Sequence, residues 1–271
     1  MHRERNPLLT AYTVLVYLFL FAPIAILILF SFNDSKRNFN WRGFTFDWYP
    51  KLLSNGDLID ALGRTLQVAL VAVVVSTILG TLLGLGLVRM RSRGRGTTET
   101  LLLLPMVTPE IIMGISLLLF FAQLFGGQGS LTQITLAHIT FCISYVAIVV
   151  RARAAGLDPQ LEEAGRDLGA SAWGAFRFVT LPLLTPAVLA GAMLAFALSF
   201  DDLVITTFNA GVGSSTLPLY IYSKIRFGVT PEINAISTII VAVTAISILA
   251  AWRVGALRGD QADRVIPDEA V

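Results

Sequence analysis

Three carboxylates, Glu110, Asp201 and Asp202, sit inside long apolar runs that hold no lysine or arginine. A carboxylate among hydrocarbon is costly, so it faces a cavity, pairs with a neighbour or is held protonated. Facing a pathway, such acids suit an organic cation, whose ammonium groups offset their desolvation by charge-assisted hydrogen bonds. Two other readings stand beside that one: Asp201 and Asp202 lie in the membrane interface, and Glu110 is protonated or paired with a partner chain.

Equipment for catalysis is not visible. A phosphate-cradling loop needs glycine-lysine followed by serine or threonine. The three lysines, Lys36, Lys51 and Lys224, do not follow glycine. His2 and His138 are the only histidines, with no second metal ligand at suitable spacing, and no Gly-x-Ser-x-Gly nucleophile turn occurs. The single cysteine, Cys142, lies in an apolar run and reads as a packing residue. The expectation is a chain that is not an enzyme and holds no metal.

The elements that carry these residues follow from composition. Of 271 residues 55% are hydrophobic and 14% charged, outside the soluble range. Six apolar runs are long enough to cross a bilayer: Leu8–Phe32, Ala61–Met90, Leu101–Phe125, Leu131–Val150, Leu183–Phe208 and Ala235–Ala256. The first has no small-residue cleavage site before a soluble domain and reads as a retained span. The expected fold is an all-α integral membrane protein of about six transmembrane helices. Its single domain covers 1–271, with a cytoplasmic loop at about 152–182 and a polar cytoplasmic tail at about 259–271.

Basic residues orient it. Arg3 and Arg5, Arg89 to Arg95, Arg151, Arg153, Arg166, Arg177, Arg253, Arg258 and Arg264 fall on one side of a six-span arrangement. That side is expected to be the cytoplasm of a bacterial inner membrane, with both termini there. The net charge of +2 is therefore topological and says little of substrate. On the other side, Asn33 to Asp60 is rich in aromatic residues suited to the membrane edge or to an outer partner. Gly80 and Gly84 place small residues on one face of the second run, where another helix can approach.

At about 1.5 Å rise per residue, Glu110 lies roughly 14 Å from Leu101, and Asp201 and Asp202 roughly 27 Å from Leu183. A cation entering from outside would meet the aspartates first. Thr108-Pro109-Glu110, after Pro105, predicts a break and restart, which is either part of a transport site or a packing kink.

Between the fourth and fifth runs, the segment from Leu157 to Trp173 predicts two short helices. Asp158 caps the first, Pro159 opens it, and Glu162 and Glu163 favour its positive end. Gly169 stops it, and Ser171 caps the next, which runs on to Leu181-Pro182.

This segment resembles the loop of the permeases of ATP-binding-cassette importers, which reads Glu-Ala-Ala, three residues, Gly, nine residues, Ile-x-Leu-Pro. Here it is Glu163-Ala164-Gly165, Gly169, Val179 and Leu181-Pro182. The spacing is kept, while Gly165 replaces the second alanine and Val179 replaces isoleucine. The resemblance implies the type I importer fold and a loop from Asp158 to Phe178 that docks on a separate ATPase subunit, with Glu163, Ala164, Gly165, Gly169, Leu181 and Pro182 as coupling residues. It also implies no cofactor on this chain, since ATP and Mg belong to the ATPase. The alternative for this segment is an amphipathic helix lying on the membrane.

Over nearly the whole chain the sequence looks like the spermidine/putrescine permeases, most of all the second of their two permease subunits. The residues that carry this are Ser31-Phe32-Asn33, Trp41-Arg42-Gly43-Phe44-Thr45, Trp48-Tyr49, Ala137-His138-Ile139-Thr140-Phe141-Cys142 and Ala164-Gly165-Arg166-Asp167-Leu168-Gly169-Ala170-Ser171. The implied partners are a second homologous permease, two ATPase subunits, an extracytoplasmic binding protein and the bilayer, with no nucleic acid. Tyr220 and Tyr222 resemble the family's outer segment before the last span, which lines the path or anchors at the interface. Two alternatives remain: an importer permease for a ferric ion, a phosphonate or another organic cation, and an ion-coupled secondary transporter. The second would use Glu110 and Asp201 as proton carriers and would need none of the loop residues.

Overall fold

The computed structural model describes residues 7–35, 40–90, 94–126, 129–226, 228 and 230–246. Those residues are helical apart from connections and one antiparallel bridge between Asn33 and Phe44. The helices in order are α1 (Pro7–Phe30), α2 (Trp48–Ser54), α3 (Gly56–Arg89), α4 (Arg95–Val107), α5 (Glu110–Phe125) and α6 (Leu131–Ala155). After them come α7 (Gln160–Asp167), α8 (Ala172–Ala175), a π turn over Phe176–Thr180, α9 (Leu181–Asp201), α10 (Val204–Asn209), α11 (Leu217–Ile225) and α12 (Pro231–Ile246).

Four described helices are long and apolar enough to cross a membrane: α1, α3, α6 and the continuous stretch Ala172–Asp201. The third expected run is not one straight span. It is α4 and α5, bent by 109° at Thr108–Pro109, and counting the pair as one span gives five. Pro109 disfavours the helical conformation for the residue before it, and Thr108 is extended, with ψ 129°. The 14 Å placement of Glu110 along a straight rod therefore does not hold.

The fifth expected run is also interrupted. Its helix ends at Asp201, and α10 restarts at Val204. The shorter α12 lies at the sixth, whose further residues, like the tail at 259–271, fall outside the described set.

By internal contact the chain forms two compact units, residues 1–56 with 223–271, and Asp57–Tyr222. In the second unit α6 is the central element. Its residues Ala137, Phe141, Cys142, Val146, Val150 and Ala154 join Phe121 of α5, Leu184 and Ala195 of α9 and Ile205 of α10 in one core. Cys142 is fully buried, its thiol donating to the Ala195 carbonyl at 3.6 Å. The packing is close because one helix lacks side chains where the other presents backbone. A Cβ on Gly84 would stand 2.5 Å from the Ala147 carbonyl oxygen, and one on Gly80 2.7 Å from Val146 Cβ. The expected small-residue face of α3 is this contact with α6.

In the first unit α1 buries none of its residues. Beyond its end the chain folds back on itself around Asn33, which is fully buried. Asn33 Nδ2 donates to Asn40 O, its Oδ1 accepts from Arg42 N, and its backbone carbonyl accepts from Trp48 Nε1, each at 2.9 Å. Phe32 packs against Phe44, Phe46 and Tyr49, with centroids 5.2, 5.3 and 5.4 Å away. The scattered residues Ser31 to Asn33, Trp41 to Thr45 and Trp48-Tyr49 thus form one knot, closed by Ser31 Oγ and Tyr49 Oη at 2.9 Å.

Candidate functional site

Two places in the second unit carry the residues singled out by sequence. The first is the loop between α6 and α9. Asp158 Oδ1 accepts the Gln160 amide at 2.9 Å, the cap expected of it, and Pro159 occupies the position where a missing amide costs nothing. At the other end of α7, Gly169 N donates to Arg166 O at 2.9 Å and Ala170 N to Gly165 O at 3.2 Å. These two bonds are the paired closure of a Schellman motif, and they require the left-handed backbone found at Gly169, φ +93°. Ser171 Oγ then accepts the Gly174 amide at 3.1 Å and starts α8.

Pro182 has no amide to offer, and the turn ahead of it widens into the π turn, where Leu181 N donates to Phe176 O. The two departures from the importer loop pattern face each other. A methyl on Gly165 would lie 3.2 Å from Val179 Cγ2, tighter than most contacts of its kind. Glu163, Ala164, Gly169 and Pro182 are exposed, while Gly165 and Leu181 are half-buried.

The residue that ties this loop to the bundle is Glu162, which sequence reasoning noted only as a helix-start acid. Its Oε2 takes an ion pair from Arg89 at the end of α3 and the Thr180 hydroxyl at 2.8 Å. Nearby, Glu99 Oε1 accepts from both Arg95 and Arg151 at 2.8 Å, joining the start of α4 to the end of α6. Leu168, Trp173 and Phe178 are 90%, 66% and 75% exposed, an apolar surface on the loop's outer side.

The second place is the corner between α9 and α10. Asp201 is exposed, but Asp202 turns inward, its side chain 6% exposed. The sequence left open whether these acids face a path, pair with a neighbour or lie in the interface, and Asp202 has neighbours within hydrogen-bond reach. His138 of α6 brings Nε2 to 3.2 Å from Asp202 Oδ2 and Nδ1 to 2.8 Å from Ser199 Oγ. The Thr206 amide and hydroxyl both donate to Asp202 Oδ2 at 2.8 Å, and the Ile205 amide donates to Oδ1 at 3.2 Å. Asp202 is therefore the capping residue of α10, and His138 was missed because its partner lies 64 residues away. A histidine in an apolar run was the available signal.

Glu110 is exposed in the first turn of α5, where the helix dipole favours an acid. Among the described residues no hydrogen bond or ion pair joins Glu110 to Asp201 or Asp202. α10 leans on α5 through Gly114, whose Cβ would stand 2.7 Å from Phe208, and Asn209 Nδ2 donates to the Gly114 carbonyl at 3.4 Å. Tyr220 is half-buried and Tyr222 exposed on α11. The start of that helix is fixed by Leu217 N donating to Thr65 Oγ1 at 2.7 Å.

Comparison with known proteins bears on the whole of this architecture. The family described as the binding-protein-dependent transport system inner membrane component matches residues 76–258, a stretch that includes both the loop and the corner. The chain belongs to this family. It is a multi-pass membrane component of a transport system, not a catalytic subunit. The chain is 41% identical over 254 residues to the putrescine transport system permease protein PotI of Escherichia coli K12, covering 92% of this chain and 90% of that protein. It is 40% identical over 235 residues to the spermidine/putrescine transport system permease protein PotC of the same strain, covering 87% and 89%. In fold it matches a chain in the crystal structure of a bacterial transporter that imports the acidic polysaccharide alginate. There the TM-score is 0.74 at 17% identity, over 93% of this chain and 98% of that one.

Proposed function

We propose that this chain is a permease subunit of an ATP-driven importer that moves polyamines of the spermidine and putrescine class into the cytoplasm. The observation that carries the reading is identity of 40–41% along at least 87% of the chain to two permeases named for those substrates. The family match runs across the boundary of the two compact units, which supports one permease domain over 1–271.

In this reading the loop from Asp158 to Phe178 is the cytoplasmic coupling element, and Leu168, Trp173 and Phe178 meet a separate ATPase subunit that holds ATP and Mg. A rigid knob suits that role. Its caps at Asp158 and Ser171 and its closure at Gly169 are all made, so force applied at its tip reaches Glu162 and α9 with little internal give. Six spans, cytoplasmic termini, a second permease, two ATPase subunits and an extracytoplasmic binding protein complete the assembly. The binding protein hands the polyamine to a path on which Asp201 and Glu110 offer carboxylates, with Tyr220 and Tyr222 on the outer segment beside it.

The test is uptake of labelled spermidine and putrescine by liposomes holding the complete complex. ATP-dependent uptake is expected, together with ATP hydrolysis stimulated by the loaded binding protein. Gly169→Val places a β-branched residue at φ +93° and is expected to cut uptake per ATP hydrolysed by about tenfold while the complex still assembles. Stimulated hydrolysis without polyamine uptake would keep the importer and discard the substrate.

A further inference from the structure

His138 and Asp202 are 1% and 6% exposed in their side chains and join three elements, α6, the end of α9 and α10. Every side-chain polar atom of the pair has a partner. With the proton on Nε2, His138 donates between Asp202 Oδ2 at 3.2 Å and Thr206 Oγ1 at 3.1 Å, and accepts the Ser199 hydroxyl on Nδ1. Asp202 also receives the Ile205 amide and the amide and hydroxyl of Thr206. Such completeness is what makes a buried carboxylate tolerable in an apolar bundle.

Asp202 is also where the helix stops, with ψ 122° instead of a helical value. Its carboxylate takes the amides of Ile205 and Thr206 in the first turn of α10 and so directs the chain into the next helix. Asp202 Oδ2 is already taken by His138 and by both donors of Thr206, and the side chain is 6% exposed, so a substrate ammonium claims that oxygen only by displacing these donors and leaving them buried without an acceptor. Asp201, one residue earlier and still helical, is exposed.

We propose that His138 is a positioning residue of the translocation path. It holds Asp202 inside the bundle, fixes α10 against α6, and leaves Asp201 as the carboxylate of the pair that meets a cationic substrate. This rests on the polyamine reading above and assigns different duties to two adjacent acids that sequence cannot tell apart.

The experiment is a double-mutant cycle on the reconstituted complex: His138→Ala, Asp202→Asn, both together, and Asp201→Asn as comparison. His138→Ala leaves a buried carboxylate short of a donor and is expected to lower maximal spermidine uptake by about tenfold. Removing the charge as well, in the double variant, is expected to restore part of that loss. His138→Gln, which offers an N–H toward Asp202, is expected to stay within about threefold of wild type. Only Asp201→Asn should raise the half-saturating concentration of spermidine-loaded binding protein. If the double variant shows the product of the single losses, His138 does not act through Asp202, and if Asp202→Asn raises half-saturation as Asp201→Asn does, Asp202 is a path ligand; either result overturns the proposal. If wild type moves no polyamine, the substrate reading fails separately, and the same cycle is read in basal ATP hydrolysis and thermal unfolding. Additive effects in both would then overturn the positioning role of His138.

Discussion

At the scale of single residues, adjacent acids divide their work twice in this chain. In the loop, Glu163 is the acid the importer pattern singles out and is exposed, while Glu162 beside it grips Arg89 and Thr180. An ion pair this open to water contributes at most about 1 kcal/mol to stability. Its value is then geometric, because it couples the loop to α3 and to the turn that begins α9. Glu162→Gln is expected to leave thermal stability nearly unchanged while uptake per ATP falls by about threefold, with the exchange Arg89→Glu/Glu162→Arg recovering part of it. Uptake and ATP hydrolysis measured in the same liposomes check this. An unchanged ratio in Glu162→Gln would remove Glu162 from the coupling path. At the α9 corner, Asp202 is held by His138 while Asp201 stays exposed.

At the scale of elements, contact between α3 and α6 depends on glycines that let one backbone approach another. Gly84→Ala brings a methyl to 2.5 Å from the Ala147 carbonyl, which only separation of the helices can relieve. Overpacking of this kind costs about 1–3 kcal/mol. Gly86, on the same helix with nothing within 4 Å of its Cβ position, is the control. Thermal unfolding of the purified complex is expected to drop for Gly84→Ala and to hold or rise slightly for Gly86→Ala; equal behaviour would mean the helices do not meet there. The legibility of the elements follows the range of the forces that make them. The loop helices could be read because Asp158, Gly169 and Ser171 act on backbone groups two to five residues away. The α4–α5 break could be read because Pro109 acts on its own neighbours. The α9–α10 break was not read, because no proline or glycine marks it, Asp202 was weighed as a charge inside a span and not as a cap for the amides three and four residues on, and the histidine beside it comes from another helix.

At the scale of the molecule, the ion pairs gather the basic ends of the second unit. Arg89 with Glu162, and Arg95 and Arg151 with Glu99, bring the ends of α3 and α6, the start of α4 and the loop helix α7 to one end. At the far end of α3, Arg64 Nη1 donates to Ser215 O at 3.3 Å and Thr65 takes the Leu217 amide, fixing the α10–α11 connection there. Sequence charge had assigned the first end to the cytoplasm, and the geometry makes that assignment testable with two positions. Thr97 lies in the exposed first turn of α4, and Val212 lies fully exposed between α10 and α11. The native Cys142 is buried and is replaced by alanine for safety. In intact cells, a membrane-impermeant maleimide is expected to label Val212→Cys and to spare Thr97→Cys, which should react only in inverted vesicles. The expectation rests on the general preference of arginine for the cytoplasmic side, where the membrane potential and the anionic leaflet favour it. Labelling in the opposite sense would invert the whole chain, and with it the assignment of the α6–α9 loop to the ATPase side.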